Sequence, residues 1–188
     1  MTFTPATIYG SYVIDLDPHY DSRGFFARTF CANTFAEHGL KLQVAQCNLT
    51  FNRRRGTLRG LHFQLPPMTE AKLLRCTSGA IYEVIVDMRP HSPTFLAHAG
   101  VELTSSNRRL LYVPEMCAAG YQALTDEAEA AYHVSEAYAP QLERGLRFDD
   151  PQFKIAWPLP ITELSEKDRS WPRFDLVRHK EEIYDSCR

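Results

Sequence analysis

The segment "AKLLRCTSGAIYEVIVDM", residues 71–88, decides the fold because it reads as two strands on either side of a turn. Thr77, Ser78 and Gly79 have the chemistry of a tight turn, and both flanks are rich in β-branched and long apolar residues. Alternation along the second flank sends Glu83 to the same face as its isoleucine neighbours at 81 and 85. We therefore predict a β-hairpin here, with two consecutive strands paired through this turn.

Similar segments recur along the chain between turn signals, and this spacing is typical of an all-β sandwich or barrel. They include "TIYGSYVIDL" (7–16), "GFFARTF" (24–30), "RRLLYVPEMCAAGYQAL" (108–124) and "AEAAYHVSEAY" (128–138). Helical signals are few: "ANTFAEHG" predicts a short helix with Asn33 as its cap and Gly39 as its stop, and "SEKDRSW" and "RHKEEIYDSC" are weaker candidates. No repeat or linker breaks the pattern, so residues 1–188 are predicted to form a single domain.

Charge and cysteine usage exclude several classes of protein. The 21 Lys and Arg residues against 23 Asp and Glu give a net charge of -2, so we expect no nucleic acid or anionic membrane as partner. The five cysteines are odd in number and never form a CxxC pair, which predicts reduced thiols rather than a disulfide framework. With no signal peptide and no apolar run long enough to span a bilayer, we expect a soluble cytoplasmic protein.

The strand "TLRGLHFQ", residues 57–64, carries the first candidate for chemistry. His62 lies between Leu61 and Phe63, where a buried imidazole needs a partner or must stay neutral. Arg59 precedes it by an odd number of residues, so both reach one pocket only if Gly60 bends the chain. With Lys72 at the start of the next strand, these residues offer a base beside fixed positive charge, which is what proton abstraction next to a carbonyl requires.

A metal site is disfavoured because the ligand count is too low. Where a metal-binding cupin has a His-x-His pair, this chain reads His62, Phe63, Gln64. Glu70 is a possible further ligand, but one imidazole and one carboxylate do not make a good transition-metal site. The remaining histidines are scattered without ligand spacing. We therefore predict no metal, and a metal-dependent cupin is kept as an alternative that metal analysis would reveal.

Over nearly its whole length the chain resembles the dTDP-4-dehydrorhamnose 3,5-epimerases, metal-free cupins of deoxysugar biosynthesis. The resemblance runs through "DSRGFFARTF" (21–30), "QCNLTFNRRRGTLRGLHFQ" (46–64), "KLLRCTSGAIYEVIVDMRPHSPTF" (72–95), "YVPEMCAAGYQAL" (112–124), "AEAAYHVSEAY" (128–138), "ERGLRFDDPQFKIAWP" (143–158) and "LSEKD" (164–168). It implies an all-β cupin-type jelly roll with a few short helices. It also implies a homodimer with exchanged N-terminal strands, no cofactor, and a nucleotide-linked 4-keto-6-deoxyhexose whose C3, C5 or both are inverted through an enolate.

The resemblance also implies residue roles. His62 is similar to the base that removes the proton beside the C4 ketone, and Asp168 to the carboxylate that orients it. Lys72 would stabilise the enolate, and Tyr132 would return a proton from the opposite face. Further positions match those that hold the nucleotide, the diphosphate or the sugar, with Tyr138 similar to the residue that stacks on the base: Arg23, Phe26, Arg28, Gln46, Asn48, Arg59, Ala119, Tyr138, Glu143 and Lys167.

Two departures from the family pattern leave alternatives open. In "PEMCAAGYQ", Met116 stands for a glycine and Ala119 for a histidine, which the pattern is expected to place across the barrel from His62. Arg28 replaces an acidic residue expected to touch the nucleotide, so CDP or GDP remain open beside dTDP as the carrier. The alternatives are a 3- or 5-monoepimerase and a catalytically weak sugar-nucleotide binding protein. Retention of all four catalytic candidates argues against the second.

Overall fold

The computed structural model describes residues 1–40 and 43–186. Its strands, in chain order, are β1 (Thr2–Pro5), β2 (Tyr12–Asp15), β3 (His19–Asp21), β4 (Gly24–Phe26), β5 (Gln46–Asn52), β6 (Thr57–Gln64), β7 (Lys72–Ser78), β8 (Ala80–Asp87), β9 (His98–Thr104), β10 (Leu110–Val113), β11 (Cys117–Ala123), β12 (Ala128–Val134), β13 (Glu143–Gly145) and β14 (Glu163–Leu164). The helices are α1 (Ala32–Glu37), α2 (Glu166–Ser170) and α3 (Leu176–Ser186).

Most of these strands form two sheets that pack face to face. The first sheet has the order β1-β2-β10-β7-β12-β5, and the second has the order β13-β6-β11-β8-β9 with β14 added beside β6. Strands β3 and β4 form a separate small hairpin. Because neighbours in each sheet are mostly distant in sequence, the chain passes repeatedly between the sheets, and the result is a cupin-type jelly roll. The all-β prediction is confirmed.

The main core lies between the two sheets. Leu74 of β7 and Leu111 of β10 meet Ile81 and Ile85 of β8 there, all of them buried. A second cluster covers the outer face of the second sheet, where Val84 and further residues of β8 pack against the C-terminal segments. Strand β8 is therefore buried on both faces, which explains its almost continuous apolar sequence. Glu83 is an acidic residue in the middle of this run, and Asp87 ends it.

The helical predictions are confirmed in position and wrong in one cap. Helix α1 begins after Cys31, so Asn33 lies inside its first turn and does not cap it. Gly39 does end this helix: its φ is +72°, and its N–H donates to the carbonyl of Ala36. The segments predicted as weaker helices form α2 and α3, although Cys187 lies outside the described residues.

The predicted hairpin between β7 and β8 is wrong. A turn at Gly79, with φ +69°, does separate the two strands. However, β7 pairs with β10 and β12 in the first sheet, whereas β8 pairs with β11 and β9 in the second. The turn at Gly79 therefore connects a strand of the first sheet to a strand of the second sheet.

The structure bears on two further predictions, which concern membrane-spanning segments and the state of the cysteines. No helix within residues 1–40 and 43–186 is long and apolar enough to cross a membrane. Four of the cysteines, Cys31, Cys47, Cys76 and Cys117, are free thiols, as the sequence predicts.

Candidate active site

Gly60 bends β6 so that two side chains reach one cavity. Its φ is +104°, and a Cβ at this position would lie 2.6 Å from Cα of Gly120 on the neighbouring strand β11. The register between β6 and β11 shifts at the same point. As a result Arg59 and His62 line the same cavity, which is the arrangement predicted for a strand that bends at Gly60.

His62 forms a close pair with Asp168. Its Nε2 lies 2.6 Å from Oδ1 of the carboxylate, which is buried on α2. Helix α2 holds Asp168 in place because Ser165 caps the helix and accepts a hydrogen bond from the Asp168 N–H. Burial would raise the pKa of Asp168, but the hydrogen bonds from His62, Ser165 and the Gly60 amide outweigh it and keep this pKa below its usual value.

This pairing fixes which nitrogen of His62 can act as a base. An ionised carboxylate only accepts hydrogen bonds, so the proton of a neutral imidazole resides on Nε2 and the lone pair on Nδ1. Nδ1 lies 3.7 Å from Oε1 of Glu143. A carboxylate on each side would stabilise the imidazolium that forms when Nδ1 takes a proton.

The cavity beside His62 has a volume of about 770 Å³ and lies inside the roll. A smaller cavity of about 360 Å³ adjoins it. His62, Lys72 and Tyr132 line both cavities, so the two form parts of one site. His62 comes from the second sheet, whereas Lys72 and Tyr132 come from the first. The imidazole of His62 and the phenol of Tyr132 therefore approach the site from opposite walls.

Lys72 lies at the junction of the two cavities and lines both of them. Its ammonium is 3.0 Å from Oε1 of Glu70 and donates to the carbonyl of His62 at 3.2 Å. Glu70, considered above only as a metal ligand, is thus the counterion of Lys72. No group of three or more His, Cys, Asp or Glu side chains within the described ranges has a metal-binding arrangement. The absence of a metal stays a prediction.

Tyr132 is a weakly acidic phenol in the wall opposite His62. Burial raises its pKa, and the nearby Tyr121 and Glu70 raise it further. The hydroxyl consequently keeps its proton and is able to donate it. Tyr121, on β11, is different because its hydroxyl is already engaged by Thr50 at 2.6 Å and by the amide of Asn52.

Three predicted substrate contacts form one cluster, in which Tyr138 and Glu143 line the smaller cavity and Lys167 lines the larger one. The hydroxyl of Tyr138 donates to Oε2 of Glu143 at 2.8 Å, and Lys167 forms an ion pair with the same carboxylate. Burial would raise the pKa of Glu143, but the bonds from Lys167 and Tyr138 and the charge of His62 hold it below its usual value. The ring of Tyr138 is 52% exposed, so one of its faces is open to a planar ligand.

The remaining predicted contacts divide into two groups. Gln46 and Asn48 line the smaller cavity, and Arg59 lines the larger one while donating to Oδ1 of Asn52 at 2.8 Å. The second group lines neither cavity. Arg23 and Phe26 belong to the exposed hairpin of β3 and β4, and Arg28 follows it in the chain. Arg23 forms an ion pair with Asp21 of this hairpin. None of the three residues lines either cavity.

The expected location of position 119 is wrong. Ala119 lies on β11 in the same sheet as β6, directly paired with His62, and not across the barrel from it. It does line the larger cavity. Polar side chains that were not predicted also line the larger cavity, among them Glu83 and Tyr121 from the second sheet and Thr50 from the first. The signal for Glu83 was present, because alternation put an acid on the face of β8 that carries buried isoleucines.

The fold is that of a cupin, and an imidazole and a phenol on opposite walls of one cavity are able to move a proton on carbon with no change of oxidation state, which is the chemistry of an isomerase. Comparison with known proteins specifies which isomerases. The sequence pattern of the dTDP-4-dehydrorhamnose 3,5-epimerase family matches residues 5–175. The chain belongs to this family.

Individual relatives agree with the family match. The curated dTDP-4-dehydrorhamnose 3,5-epimerase of Methanothermobacter thermautotrophicus is 39% identical over 90% of this chain and 92% of its own length. The crystal structure of the Bacillus anthracis enzyme of that name, with TDP and PPi bound, superposes with a TM-score of 0.88 at 33% identity, covering 92% of this chain and 99% of its own. A 3'-monoepimerase from Streptomyces bikiniensis in complex with dTDP-quinovose gives 0.85 at 31% identity, over 97% and 94% of the two chains.

Proposed function

We propose that residues 1–188 form one epimerase domain that inverts C3, C5 or both of a dTDP-linked 4-keto-6-deoxyhexose through an enolate. One observation carries the proposal: the imidazole of His62 and the phenol of Tyr132 line one cavity from opposite sheets. Inversion needs a proton to leave one face of a carbon and return to the other. The names of the relatives supply the substrate class.

Proton removal is assigned to Nδ1 of His62. The carbon acid lies next to the C4 ketone, so the electron pair of the broken C–H bond moves into the carbonyl as an enolate. Asp168 holds the proton of Nε2 and stabilises the imidazolium once Nδ1 is protonated. Lys72 is the cationic side chain of the described residues that lines both cavities, and it would balance the negative charge that develops on the enolate oxygen.

Proton return is assigned to the hydroxyl of Tyr132. A phenol with a raised pKa keeps its proton until the enolate carbon, a much stronger base, accepts it. The resulting phenolate would recover a proton from solvent through the open mouth of the site. Since C3 and C5 both flank the ketone, one base and one acid serve both carbons if the sugar ring turns between steps.

The nucleotide is assigned to the smaller cavity and its mouth. Tyr138 has an open ring face for the base, while Gln46, Asn48 and Lys167 surround the path toward the sugar. Arg59 is positioned on the other side for the diphosphate or the sugar. The proposed carrier is dTDP, as in the relatives, and Arg28 is the residue that would alter the nucleotide contact.

The proposed assembly is a homodimer in which the N-terminal segments are exchanged. It would bring Arg23, Phe26 and Arg28 to the partner's cavity, which agrees with their distance from the cavity walls of their own protomer. Exposed aromatic side chains support this assembly, because Phe26 is 65% exposed and Phe51 on the edge strand β5 is 50% exposed. A cytoplasmic location and independence of any metal or cofactor belong to the same proposal, and the free thiols agree with a reducing compartment.

A monoepimerase is the second candidate, and Ala119 favours it. Without a side chain able to donate a hydrogen bond at position 119, the site has fewer fixed groups with which to hold the ring in two orientations. A relative of 31% identity is a 3'-monoepimerase. Uptake of solvent deuterium at C3 only, or at C5 only, would select this candidate.

The decisive test measures deuterium uptake from heavy water into dTDP-4-keto-6-deoxyglucose, followed by NMR at C3 and C5. The wild type should exchange, and His62→Asn should lose exchange by a factor of 10² or more, on the order expected for a general base. Binding of dTDP, measured by calorimetry, should be unchanged in this variant. The CDP- and GDP-linked sugars serve as carrier controls. Near wild-type exchange by His62→Asn would sink the assignment of the base.

A further inference from the structure

Glu83 is a buried acid at the wall of the active cavity that the proposed mechanism does not use. It lies in the middle of β8, is 2% exposed, and lines the same cavity as His62, Lys72 and Tyr132. Its atom Oε2 has no hydrogen-bond partner. Only one other buried side-chain polar atom in the described part of the chain, Nε1 of Trp171, is left in this condition. A buried polar atom without a protein partner is costly, and Oε2 of Glu83 is therefore available to a polar group that enters the cavity.

The surroundings of Glu83 keep it in its neutral form. Burial raises its pKa to about 8, and the charge of Lys72 and the Gly120 amide, which favour the ionised form, do not outweigh burial. Lys72 is paired with Glu70 at 3.0 Å, and the negative charge of Glu70 offsets part of the field of Lys72 at Glu83. A neutral carboxyl group has an O–H, and unlike a carboxylate it can donate a hydrogen bond.

The position of Glu83 relates it to the departure at Ala119. On the paired strands β8 and β11, Glu83 lies opposite Tyr121, and Ala119 lies opposite Ile85. Glu83 and Ala119 are therefore diagonal neighbours on the same face of the sheet. The hydroxyl of Tyr121 is engaged by Thr50, so it is not available as a partner for the acid. The small side chain at position 119 leaves space next to Glu83 for an oxygen of the substrate.

We propose that Glu83 is a further catalytic residue, whose carboxyl group donates a hydrogen bond to a carbonyl or hydroxyl oxygen of the sugar in the space that a histidine at position 119 would occupy. The inference rests on the proposed function for the identity of the ligand. No proton is transferred: the acid keeps its proton and stabilises negative charge on the oxygen. A carboxylate in the same place would instead oppose the enolate.

The first experiment compares two variants of similar size. Glu83→Gln keeps a neutral hydrogen-bond donor, and Glu83→Leu removes it. Loss of one preorganised donor lowers kcat by about 10²- to 10³-fold. We expect this loss in Glu83→Leu with little change in KM, whereas Glu83→Gln should stay within roughly 5-fold of the wild type. Glu102→Gln, an exposed carboxylate on the adjacent strand β9, is the matched control and should not change either constant. Equal rates for the Gln and Leu variants would overturn the proposal.

The pH profile gives a second readout. The titratable and charged groups that line the same cavity as Glu83 are Arg59 and His62 of β6, Lys72 of β7, Tyr121 of β11, Tyr132 of β12, Glu163 of β14, and Lys167, Asp168 and Arg169 of α2. If ionisation of Glu83 limits the reaction, kcat of the wild type falls as the pH rises through about 8, and Glu83→Gln lacks this fall. The same alkaline fall in Glu83→Gln would assign it to one of the other groups and would count against the donor role of Glu83.

A measurement that needs no turnover separates this inference from the proposed function. The infrared difference spectrum between the wild type and Glu83→Gln at neutral pH should contain a C=O band of a protonated carboxyl group, which comes from the wild type. The band should shift when dTDP-4-keto-6-deoxyglucose is added and should not shift with dTDP alone. An absent or unmoved band overturns the role of Glu83. A shifted band in an enzyme that exchanges no deuterium overturns the proposed function and leaves the contact between Glu83 and the sugar supported.

Discussion

At the scale of single residues, the two phenols of the cavity differ in whether the hydroxyl is free. Tyr132 is assigned the proton donor, whereas the hydroxyl of Tyr121 is held by Thr50 and Asn52. We expect Tyr132→Phe to reduce net inversion more than exchange with retention, because the proton can still leave and return through His62. Deuterium content and product configuration, both read by NMR, measure the two outcomes separately.

Tyr121→Phe is the matched control for this prediction. Its hydroxyl supports the wall and donates nothing to the substrate, so its removal should lower inversion and exchange by the same factor. If Tyr132→Phe behaves in the same way, Tyr132 is a structural residue and the acid must be sought elsewhere.

The raised pKa of Glu83 makes a prediction about stability. Because this pKa is near 8 in the folded protein and near 4.5 in the unfolded chain, the folded state binds the extra proton between these values. The contribution of Glu83 to the free energy of unfolding therefore falls as the pH rises from 4.5 to 8. At pH 7 this contribution has decreased by on the order of 3 kcal/mol. Glu83→Gln has no such proton, so we expect its stability relative to the wild type to increase between pH 5 and pH 8.

Urea unfolding of both proteins at several pH values measures this difference. Glu102→Gln, which removes an exposed carboxylate, should follow the wild type throughout. A constant difference between wild type and Glu83→Gln across the range would mean that Glu83 is already ionised in the folded protein.

The sequence identified the residues of the site better than their surroundings. His62 was recognisable as a candidate because an imidazole between two apolar residues needs a partner, but Asp168, more than 100 positions away, became one only through the family resemblance. The ion pair between Glu70 and Lys72 is local, because the two residues are two positions apart, but the sequence analysis considered Glu70 only as a possible metal ligand. The missing partner of Glu83 could not be predicted, because it depends on which strands lie side by side and local sequence does not contain that information.

At the scale of elements, strand β6 combines a central position in its sheet with a sharp bend. Gly60 is the residue that permits the bend, because any Cβ there would meet Gly120 Cα at 2.6 Å and the Ala119 carbonyl at 2.8 Å. We expect Gly60→Ala to lower the free energy of unfolding by about 3 kcal/mol or more, since a steric clash adds to the cost of a positive φ. Arg59 and His62 should also lose their common orientation, and exchange activity with them.

Gly24→Ala is the control that measures only the free-energy cost of placing alanine at a positive φ, without a steric clash. Gly24 has φ +130°, and nothing lies within 4 Å of its Cβ position. Its substitution should therefore cost about 1–2 kcal/mol. Equal destabilisation by the two substitutions in urea would show that contact with β11 does not constrain β6.

The elements also show where sequence reasoning ends. Strand and helix positions followed from local composition, whereas the predicted pairing of β7 with β8 was wrong. Thr77, Ser78 and Gly79 specify a reversal of the chain, and the same turn chemistry serves a hairpin within one sheet and a crossing between two. The partner of each strand is decided by which apolar faces can be buried together, and in a jelly roll those faces belong to strands that are far apart in sequence.

At the scale of the whole molecule, the proposed dimer would account for predicted substrate contacts that lie away from the cavities. The cavities are lined by His62, Tyr132 and Lys72, whereas Arg23, Phe26 and Arg28 do not line them. These residues belong to or follow a small hairpin that pairs with neither main sheet. If the hairpin serves the partner's cavity, each active site needs two chains, and activity should depend on assembly.

Mixing two inactive variants tests this shared site. His62→Asn lacks the base, and a double variant Arg23→Ala/Arg28→Ala lacks the exchanged nucleotide contacts. In a mixed dimer, one site combines an intact base with the intact hairpin of the partner, and the other site carries both defects. Random re-association of equal amounts forms mixed dimers as about half of the total, so roughly a quarter of the wild-type sites should become active. The measurement is deuterium uptake after co-refolding, with each variant refolded alone as the control. A site built within one chain would regain nothing on mixing, because no protomer in the mixture carries both His62 and the two arginines.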